Sequence, residues 1–179
     1  SFSDGDGVDW RPFCADLDIV GHEFTHALTQ YTAGLLYEYE SGALNESMSD
    51  FFGNMIERDN WLLGDEVRIT APGFIRSMAE PHRGPDSARF PFGNQPATMS
   101  EFLDTNIAFD NGGVHVNSGI PNHVGYLMAE AMGRDKAEQI WFRTLTTYLT
   151  PLSSFEFWAI MLTQSAEDIY GSESPEANA

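Results

Sequence analysis

The sequence is poor in cations and in cysteine and has no long apolar run, and each scarcity excludes a class of protein. Its 179 residues include 9 Lys and Arg against 27 Asp and Glu, a net charge of −18. Nucleic acids and anionic membranes need clustered cations, so we expect neither partner. The single cysteine, Cys14, cannot form an internal disulfide and is expected to be a small buried residue. No apolar run approaches the roughly 20 residues that cross a bilayer.

The composition is otherwise that of a folded chain, with 42% hydrophobic residues, among them 13 Phe, 4 Trp and 6 Tyr. The excess of acid leaves two interpretations open: a solvated surface, as in a protein that works in salty water, or carboxylates that bind calcium. The chain opens on Ser-Phe-Ser-Asp-Gly, which is not a signal peptide, so we expect any targeting segment to lie outside this sequence.

Residues 22–26 read His-Glu-Phe-Thr-His, the spacing that zinc peptidases carry on a helix. Because each helical residue turns about 100°, His22 and His26 lie about 40° apart and can reach one metal ion. Glu23 lies on the flank of that stripe, where a carboxylate can take a proton from a zinc-bound water. These five residues therefore supply two ligands and a base.

Apolar spacing predicts a mainly α-helical chain whose first helix, over 17–31, carries this motif. Asp16 or Asp18 could cap that helix. A second helix is predicted over 41–58, and its polar stripe either faces solvent or is buried by another helix. Gly42 and Gly53 would permit such a close approach.

Residues 71–117 are dense in Pro, Gly, Asn and Asp and are predicted to form a long irregular segment, which in a compact domain is usually functional. Three further helices are predicted over 120–132, 136–149 and 154–170. The last two have capping-box patterns, Asp135 with Glu138 and Ser153 with Glu156. No linker is visible. We therefore expect residues 1–179 to form one helical catalytic domain, composed of a helix pair (17–58), the irregular segment (71–117) and a helical part (118–171).

A catalytic zinc ion takes three protein ligands and leaves one position for water. Glu46 follows His26 by 20 residues and lies on the second predicted helix, with Asp50 one turn further on. If the two helices pack antiparallel, Glu46 comes opposite the two histidines. Asp50 is then placed to accept a hydrogen bond from a ligand imidazole, which fixes the orientation of the ring.

Five segments carry a family resemblance. The longer ones are Asp-Ile-Val-Gly-His-Glu-Phe-Thr-His-Ala-Leu at 18–28, Ser-Gly-Ala-Leu-Asn-Glu-Ser-Met-Ser-Asp at 41–50 and Asp-Asn-Gly-Gly-Val-His-Val-Asn-Ser-Gly-Ile at 110–120, and the shorter ones are Tyr-Thr-Ala-Gly-Leu-Leu-Tyr at 31–37 and Ile-Arg-Ser-Met at 75–78. In the order and spacing of these segments the chain resembles the catalytic C-terminal portion of the thermolysin-like neutral zinc metalloproteases, or gluzincins. The resemblance runs from about Gly5 to Tyr170. It implies a secreted, extracellular zinc endopeptidase that cuts peptides or proteins on the amino side of large apolar residues.

The resemblance also assigns roles to single residues. It implies that zinc is held by His22, His26 and Glu46, while Glu23 activates the bound water and then passes the proton to the leaving amide nitrogen. The same resemblance places Asn45 beside Asp50 among the groups that support the ligands.

Further roles concern the substrate. The resemblance implies that His115 and Tyr37 donate hydrogen bonds to the oxyanion, and that Asp110 orients His115. Arg76 would bind a substrate carbonyl. The main specificity pocket would be lined by five apolar residues: Phe13, Ile19, Leu63, Val67 and Ile75.

Two departures from the family pattern limit these expectations. The family's double calcium site uses acidic residues after the second helix, but two of those positions are Asn60 and Leu62 here. Two neighbouring calcium ions need many anionic oxygens, so we expect at most one, held by Asp18, Glu57, Asn60 and the backbone carbonyl of Leu62.

The other departure is that the family's N-terminal, strand-rich domain and its final helix are absent from this sequence. The expected consequence is an exposed apolar surface on the metal-bearing helix. An alternative function therefore stays open, that of a non-catalytic zinc-binding fragment that needs its N-terminal domain, or binds a propeptide, without turnover.

Overall fold

A computed structural model describes residues 3–70, 73–84 and 94–178 of the chain. Helices dominate these described residues, which confirms the predicted fold class. The elements are α1 (Leu17–Tyr31), α2 (Tyr39–Ile56), β1 (Leu62–Leu63), β2 (Arg76–Ser77), α3 (Asp110–Asn117), α4 (Gly119–Met132), α5 (Arg134–Arg143) and α6 (Phe155–Tyr170). No helix among the described residues is long and apolar enough to span a membrane.

Helix α1 has the predicted bounds and buries its polar side rather than its apolar one. Asp16 caps it, since its side chain accepts the backbone N–H groups of Asp18 and Ile19. The outward stripe of α1 is apolar and exposed, as expected: Leu17 is 53%, Phe24 77% and Tyr31 86% exposed. We call these three residues the α1 stripe.

Helix α2 is buried from residue 41 to residue 55, so its polar stripe faces protein and not solvent. Close approach to α1 explains this burial. A Cβ atom at Gly53 would lie 2.6 Å from the carbonyl oxygen of Asp18, and one at Gly21 would lie 2.8 Å from the Ile56 side chain. Only glycine at these positions lets the two helices pack this closely.

The opposite face of α2 packs into the main hydrophobic core. Phe51 stacks on Trp141 of α5 with ring centroids 4.1 Å apart, and Trp141 meets Trp158 of α6 edge-on at 5.2 Å. Each of these rings buries a large apolar area. The core therefore holds α2 from behind while its polar face meets α1.

A short hairpin follows α2 and carries Arg76 back to it. Strands β1 and β2 pair antiparallel, with Leu62 opposite Ser77 and Leu63 opposite Arg76. The hairpin contributes to a second, smaller apolar cluster, formed by Ile19, Leu63, Val67 and Ile75 with Trp10 and Phe13 packed against it.

Both predicted capping boxes were wrong. Helix α5 begins at Arg134 after Gly133, whose φ is +89°, and the carboxylates of Asp135 and Glu138 bind the Arg58 side chain instead. Helix α6 begins one residue later than that pattern indicated, and Ser154 caps it by accepting the N–H of Phe157. In both cases local spacing alone did not determine the cap.

The predicted irregular segment over 71–117 contains more order than expected. Positions 71–72 and 85–93 lie outside the described residues. Within the rest, β2 is a regular strand, and α3 is irregular over its first half, because Asp110, Asn111, Gly112 and Gly113 have φ values of 50°, 51°, 87° and 83°. The expectation of a buried Cys14 was also wrong: it is exposed, in a 3₁₀ turn, because that turn precedes α1 at the surface.

We predict that Gly53→Ala destabilises the fold by about 2 kcal/mol, because the added methyl group must push α1 away from α2. Urea unfolding of the metal-free chain measures this change. Glu130→Ala, on the exposed face of α4, is the control and should change the free energy of unfolding by less than about 0.5 kcal/mol. Equal stability of Gly53→Ala and the wild type would show that the helices are not packed this closely.

Candidate metal centre

The two histidines of α1 and a glutamate of α2 converge on one point. The Nε2 atoms of His22 and His26 lie 3.0 Å apart. Glu46 presents Oε2 at 3.7 Å from the first and Oε1 at 3.4 Å from the second. The structure thus brings together the three side chains that the sequence put forward as zinc ligands, with one atom of each within 4.8 Å of the others.

The protonation of these groups suits a metal cation. His22 Nδ1 lies 2.8 Å from the Asp50 carboxylate, and His26 Nδ1 lies 2.8 Å from the amide oxygen of Asn45. Both partners accept, so both Nδ1 atoms carry a proton, and in the neutral form of each ring the lone pair is on Nε2. Glu46 Oε2 is buried and has no hydrogen-bond partner within the described part of the chain. Two imidazole nitrogens and a carboxylate oxygen are a donor set that zinc accepts.

The ligands have further support that the sequence only partly indicated. Burial lowers the pKa of His26, which keeps its ring neutral and able to bind a cation. Ser49, one turn beyond Asn45 on α2, places its hydroxyl 3.1 Å from His26 Nδ1. The sequence analysis did not identify Ser49 as a supporting residue. Its spacing of four residues from Asn45 could have indicated this, because it places both side chains on the same face of α2.

Asp50 and Arg76 form a buried ion pair behind His22. Arg76 donates Nε to Asp50 Oδ2 at 2.9 Å and Nη2 to Oδ1 at 2.6 Å. Burial opposes ionisation of Asp50, but the guanidinium charge and the His22 hydrogen bond outweigh it, and the pKa of Asp50 lies well below its ordinary value. Asp50 is therefore a permanent anion against which the His22 ring is aligned.

His115, Asp110 and Tyr37 form a second group beside the ligands. Asp110 lies 2.6 Å from His115 Nδ1 and also accepts the backbone N–H of His115 at 2.8 Å. His115 Nε2 lies 3.1 Å from the Tyr37 hydroxyl, which donates to Glu46. Burial lowers the pKa of His115, but the Asp110 hydrogen bond and the Glu46 charge reverse this and leave it raised. The imidazole is thus suited to be a charged donor.

A cavity of about 250 Å³ opens at this centre and has a polar and an apolar side. Its lining consists of Phe13, Ile19, His22, Glu23, Glu46, Ile75, Arg76 and His115. Leu63 and Val67, expected in the same lining, are instead 1% and 0% exposed and pack behind it in the smaller cluster. They shape the cavity through the residues they support.

A separate acidic cluster lies at the start of α1. Asp16, Asp18 and Glu57 each place a carboxylate oxygen within 4.8 Å of the others, and burial together with a hydrogen bond to the Asp16 carboxylate raises the pKa of Asp18 to about 10. Sequence reasoning had used Asp16 only as a cap. The polar atoms of Asn60 are engaged elsewhere, with the N–H of Leu62 at 2.6 Å and with Asp65 at 2.9 Å.

An H-E-x-x-H helix, a glutamate donor on the next helix and a cavity with an oriented histidine define a metallopeptidase type of site. The chain belongs to the thermolysin metallopeptidase family: the model of that family's α-helical domain matches residues 33–179, and the model of its catalytic domain matches residues 1–30.

Among similar proteins, a bacillolysin from Bacillus caldolyticus is 40% identical over 194 residues, which cover 99% of this chain and 34% of that protein. An extracellular elastase from Staphylococcus epidermidis is 44% identical over 172 residues, covering 95% and 32%. The structure of a precursor of protealysin from Serratia proteamaculans matches with a TM-score of 0.89 and 36% identity, over 99% of this chain and 58% of that one. The chain thus spans about a third of several of the proteins that it matches.

We predict that Arg76→Met destabilises the metal-free chain by about 3–5 kcal/mol, because the Asp50 carboxylate is left buried without its cation. Arg76→Lys should lose less, since it keeps the charge but not the two-point contact. Denaturant unfolding with a chelator present measures both. Arg143→Met removes an exposed pair with Asp168 and, as the control, should have little effect.

Arg76→Met should also change the pH at which the chain unfolds in acid. The pKa of Asp50 is lower in the folded than in the unfolded chain, so the ion pair contributes fully above about pH 4 and weakens only in stronger acid. Arg76→Met should therefore unfold at a higher pH than the wild type. Identical acid midpoints would contradict this account of the pair.

Proposed function

We propose that this chain is the catalytic, zinc-binding part of a metalloendopeptidase, with residues 1–179 acting as one helical unit. The observation that supports it best is the convergence of His22, His26 and Glu46 at the edge of a cavity that Glu23 also lines. These three residues would hold the ion. Zinc, when bound, supplies Lewis-acid polarisation and lowers the pKa of water to near 7.

Glu23 is proposed as the general base. It is half-buried on the cavity side of α1, one residue from a ligand, and it is not itself one of the converging donors. A carboxylate in this position takes the proton of the attacking water and delivers it to the leaving amide nitrogen. We assign this proton transfer to the Glu23 side chain.

His115 and Tyr37 are proposed to stabilise the oxyanion. His115 Nε2 and the Tyr37 hydroxyl are 3.1 Å apart and both lie next to Glu46. The Tyr37 hydroxyl donates to Glu46 in this structure, and we propose that it turns its hydrogen to the substrate oxygen once Glu46 holds the metal, so that both groups donate to the same oxygen. Asp110 holds the imidazole by its Nδ1 atom, which leaves Nε2 for the substrate. Donors that are already oriented contribute most to a charged transition state.

The apolar side of the cavity supports a preference for a large apolar residue just after the cut bond. Phe13, Ile19 and Ile75 form that side. Arg76 also lines the cavity, and its Nε and Nη2 atoms contact Asp50. We propose that Nη1 donates to a carbonyl of the substrate, which would fix the backbone while the pocket selects the side chain.

A second candidate function is a zinc-binding fragment without turnover, and the α1 stripe favours it. Leu17, Phe24 and Tyr31 are large apolar residues that are exposed together on one helix face, which is typical of a surface that another domain or protein covers. This chain covers 34% of the bacillolysin and 58% of the protealysin precursor chain, so we propose that an N-terminal domain, or a propeptide, covers the stripe and completes the cleft. Because one relative is an extracellular elastase, we also propose secretion of the full protein.

We predict that Glu23→Ala keeps stoichiometric zinc but lowers peptide cleavage at least about 100-fold, because the ligands remain and the base is lost. Zinc content and cleavage of a peptide with one large apolar residue, with and without chelator, are the measurements. Glu173→Ala, an exposed carboxylate far along the chain, is the control. Undiminished, chelator-sensitive cleavage by Glu23→Ala would refute the mechanism, and a wild-type chain that binds zinc without cleaving anything would favour the second function.

For calcium we predict at most one tight site in the metal-free chain, held by Asp18 and Glu57 with Asp16 beside them. Asn60 and the Leu62 carbonyl were expected to complete it, but the amide of Asn60 is already paired. Calorimetric titration of the metal-free chain should give one equivalent or none, and Asp18→Asn should abolish any binding while Asp104→Asn, which is exposed, should not. Two tight equivalents would contradict the prediction.

A further inference from the structure

Asp50 is held by four donors, and one of them comes from a residue to which sequence reasoning gave no role. Oδ1 lies 2.8 Å from His22 Nδ1 and 2.6 Å from Arg76 Nη2. Oδ2 accepts Arg76 Nε at 2.9 Å and Asn122 Nδ2 at 2.8 Å. A carboxylate offers about four lone-pair directions, so these donors fill its capacity.

Asn122 is buried, and the one explained interaction of its side chain is the hydrogen bond that its amide NH₂ group donates to Asp50. It is 0% exposed on α4, 72 residues beyond Asp50 in the chain. Its Oδ1 atom is buried, and no described residue forms a hydrogen bond with it. The amide cannot be reversed, because its oxygen would then face the Asp50 carboxylate, which only accepts. Burying an amide whose oxygen has no hydrogen bond costs free energy, so the hydrogen bonding of Asn122 itself does not explain why an asparagine is buried here.

We propose that Asn122 is a positioning residue of the zinc site, which sets the Asp50 carboxylate and, through it, the His22 ring. The inference rests on the zinc-binding part of the proposed function and not on turnover. Asn122 holds Oδ2 from the side of α4 while Arg76 holds it from the hairpin. With both in place, Oδ1 has one orientation toward His22 Nδ1, and the Nε2 lone pair is directed at the point where the ligands meet.

Removing the Asn122 donor would free the carboxylate to turn toward Arg76. The hydrogen bond to His22 then loses its fixed direction, and the ring gains freedom about its side-chain torsions. Groups that orient a metal-bound histidine change metal affinity by about 10–100-fold when they are mutated. Asn122 acts one contact further away, so we expect an effect near the lower end, about tenfold.

The test compares Asn122→Leu with Asn117→Leu. Asn117 is a matched control because it is also a buried asparagine, 1% exposed, but its amide pairs with the backbone of Leu103 at 3.0 Å on both atoms. The zinc dissociation constant is measured by competition with a chromophoric chelator, and the visible spectrum is recorded with Co²⁺ in place of zinc. Asn122→Leu should bind zinc about tenfold more weakly and shift the Co²⁺ spectrum. Asn117→Leu should lose stability yet keep both readouts.

Asn122→Ala provides a second, smaller variant, in case the leucine variant does not fold. It also removes the donor to Asp50, so its zinc affinity should fall about as far. Wild-type affinity and an unchanged Co²⁺ spectrum in a folded Asn122 variant would overturn the proposal. Because zinc affinity is read without turnover, an inactive wild type that binds zinc contradicts only the endopeptidase function.

Discussion

The metal centre depends on how closely α1 and α2 pack. Glycines at positions 21 and 53 remove the side chains that would separate the helices, and a Cβ atom at Gly53 would meet a backbone carbonyl at 2.6 Å. This distance brings the histidines of one helix against the carboxylates of the other. It also buries the polar stripe of α2, so that every group on the stripe needs a partner. Asn45, Ser49 and Asp50 find theirs on the two histidines.

The electrostatic balance of the centre follows from that burial. Glu46 and Asp50 are both fully enclosed, and Arg76 is the cation that lies near both, at 2.6 Å from Asp50 and 3.9 Å from Glu46. Burial opposes ionisation of Glu46, but the neighbouring cationic groups, Arg76 among them, outweigh it and leave the pKa of Glu46 lowered. Since Arg76 is engaged mainly by Asp50, Glu46 Oε2 has no hydrogen-bond partner among the described residues and lies 3.7 Å from His22 Nε2. The negative charge that is left over is what a divalent cation would neutralise.

Sequence patterns predicted the parts of this arrangement that depend on local periodicity. The bounds of α1 and the convergence of His22, His26 and Glu46 follow from helical spacing and one antiparallel packing step. The four residues with positive φ before His115 could not be assigned to a helix, because Asp-Asn-Gly-Gly is typical of a turn. Asn122 was missed because a contact across 72 residues leaves no spacing to detect. The capping box of Asp135 and Glu138 failed because Arg58, a tertiary partner, binds both carboxylates.

The α1 stripe has a consequence for the behaviour of the isolated chain in solution. A net charge of −18 keeps copies apart by repulsion that extends about 10 Å at 0.1 M salt. Concentrated salt shortens that range to about 3 Å and, for excluded salts such as sulfate, strengthens apolar association. Contacts between the exposed side chains of Phe24 and Tyr31 on different copies would then favour association. The colloidal stability of this chain is therefore a balance between its acidity and one helix face, and ionic strength determines which of the two prevails.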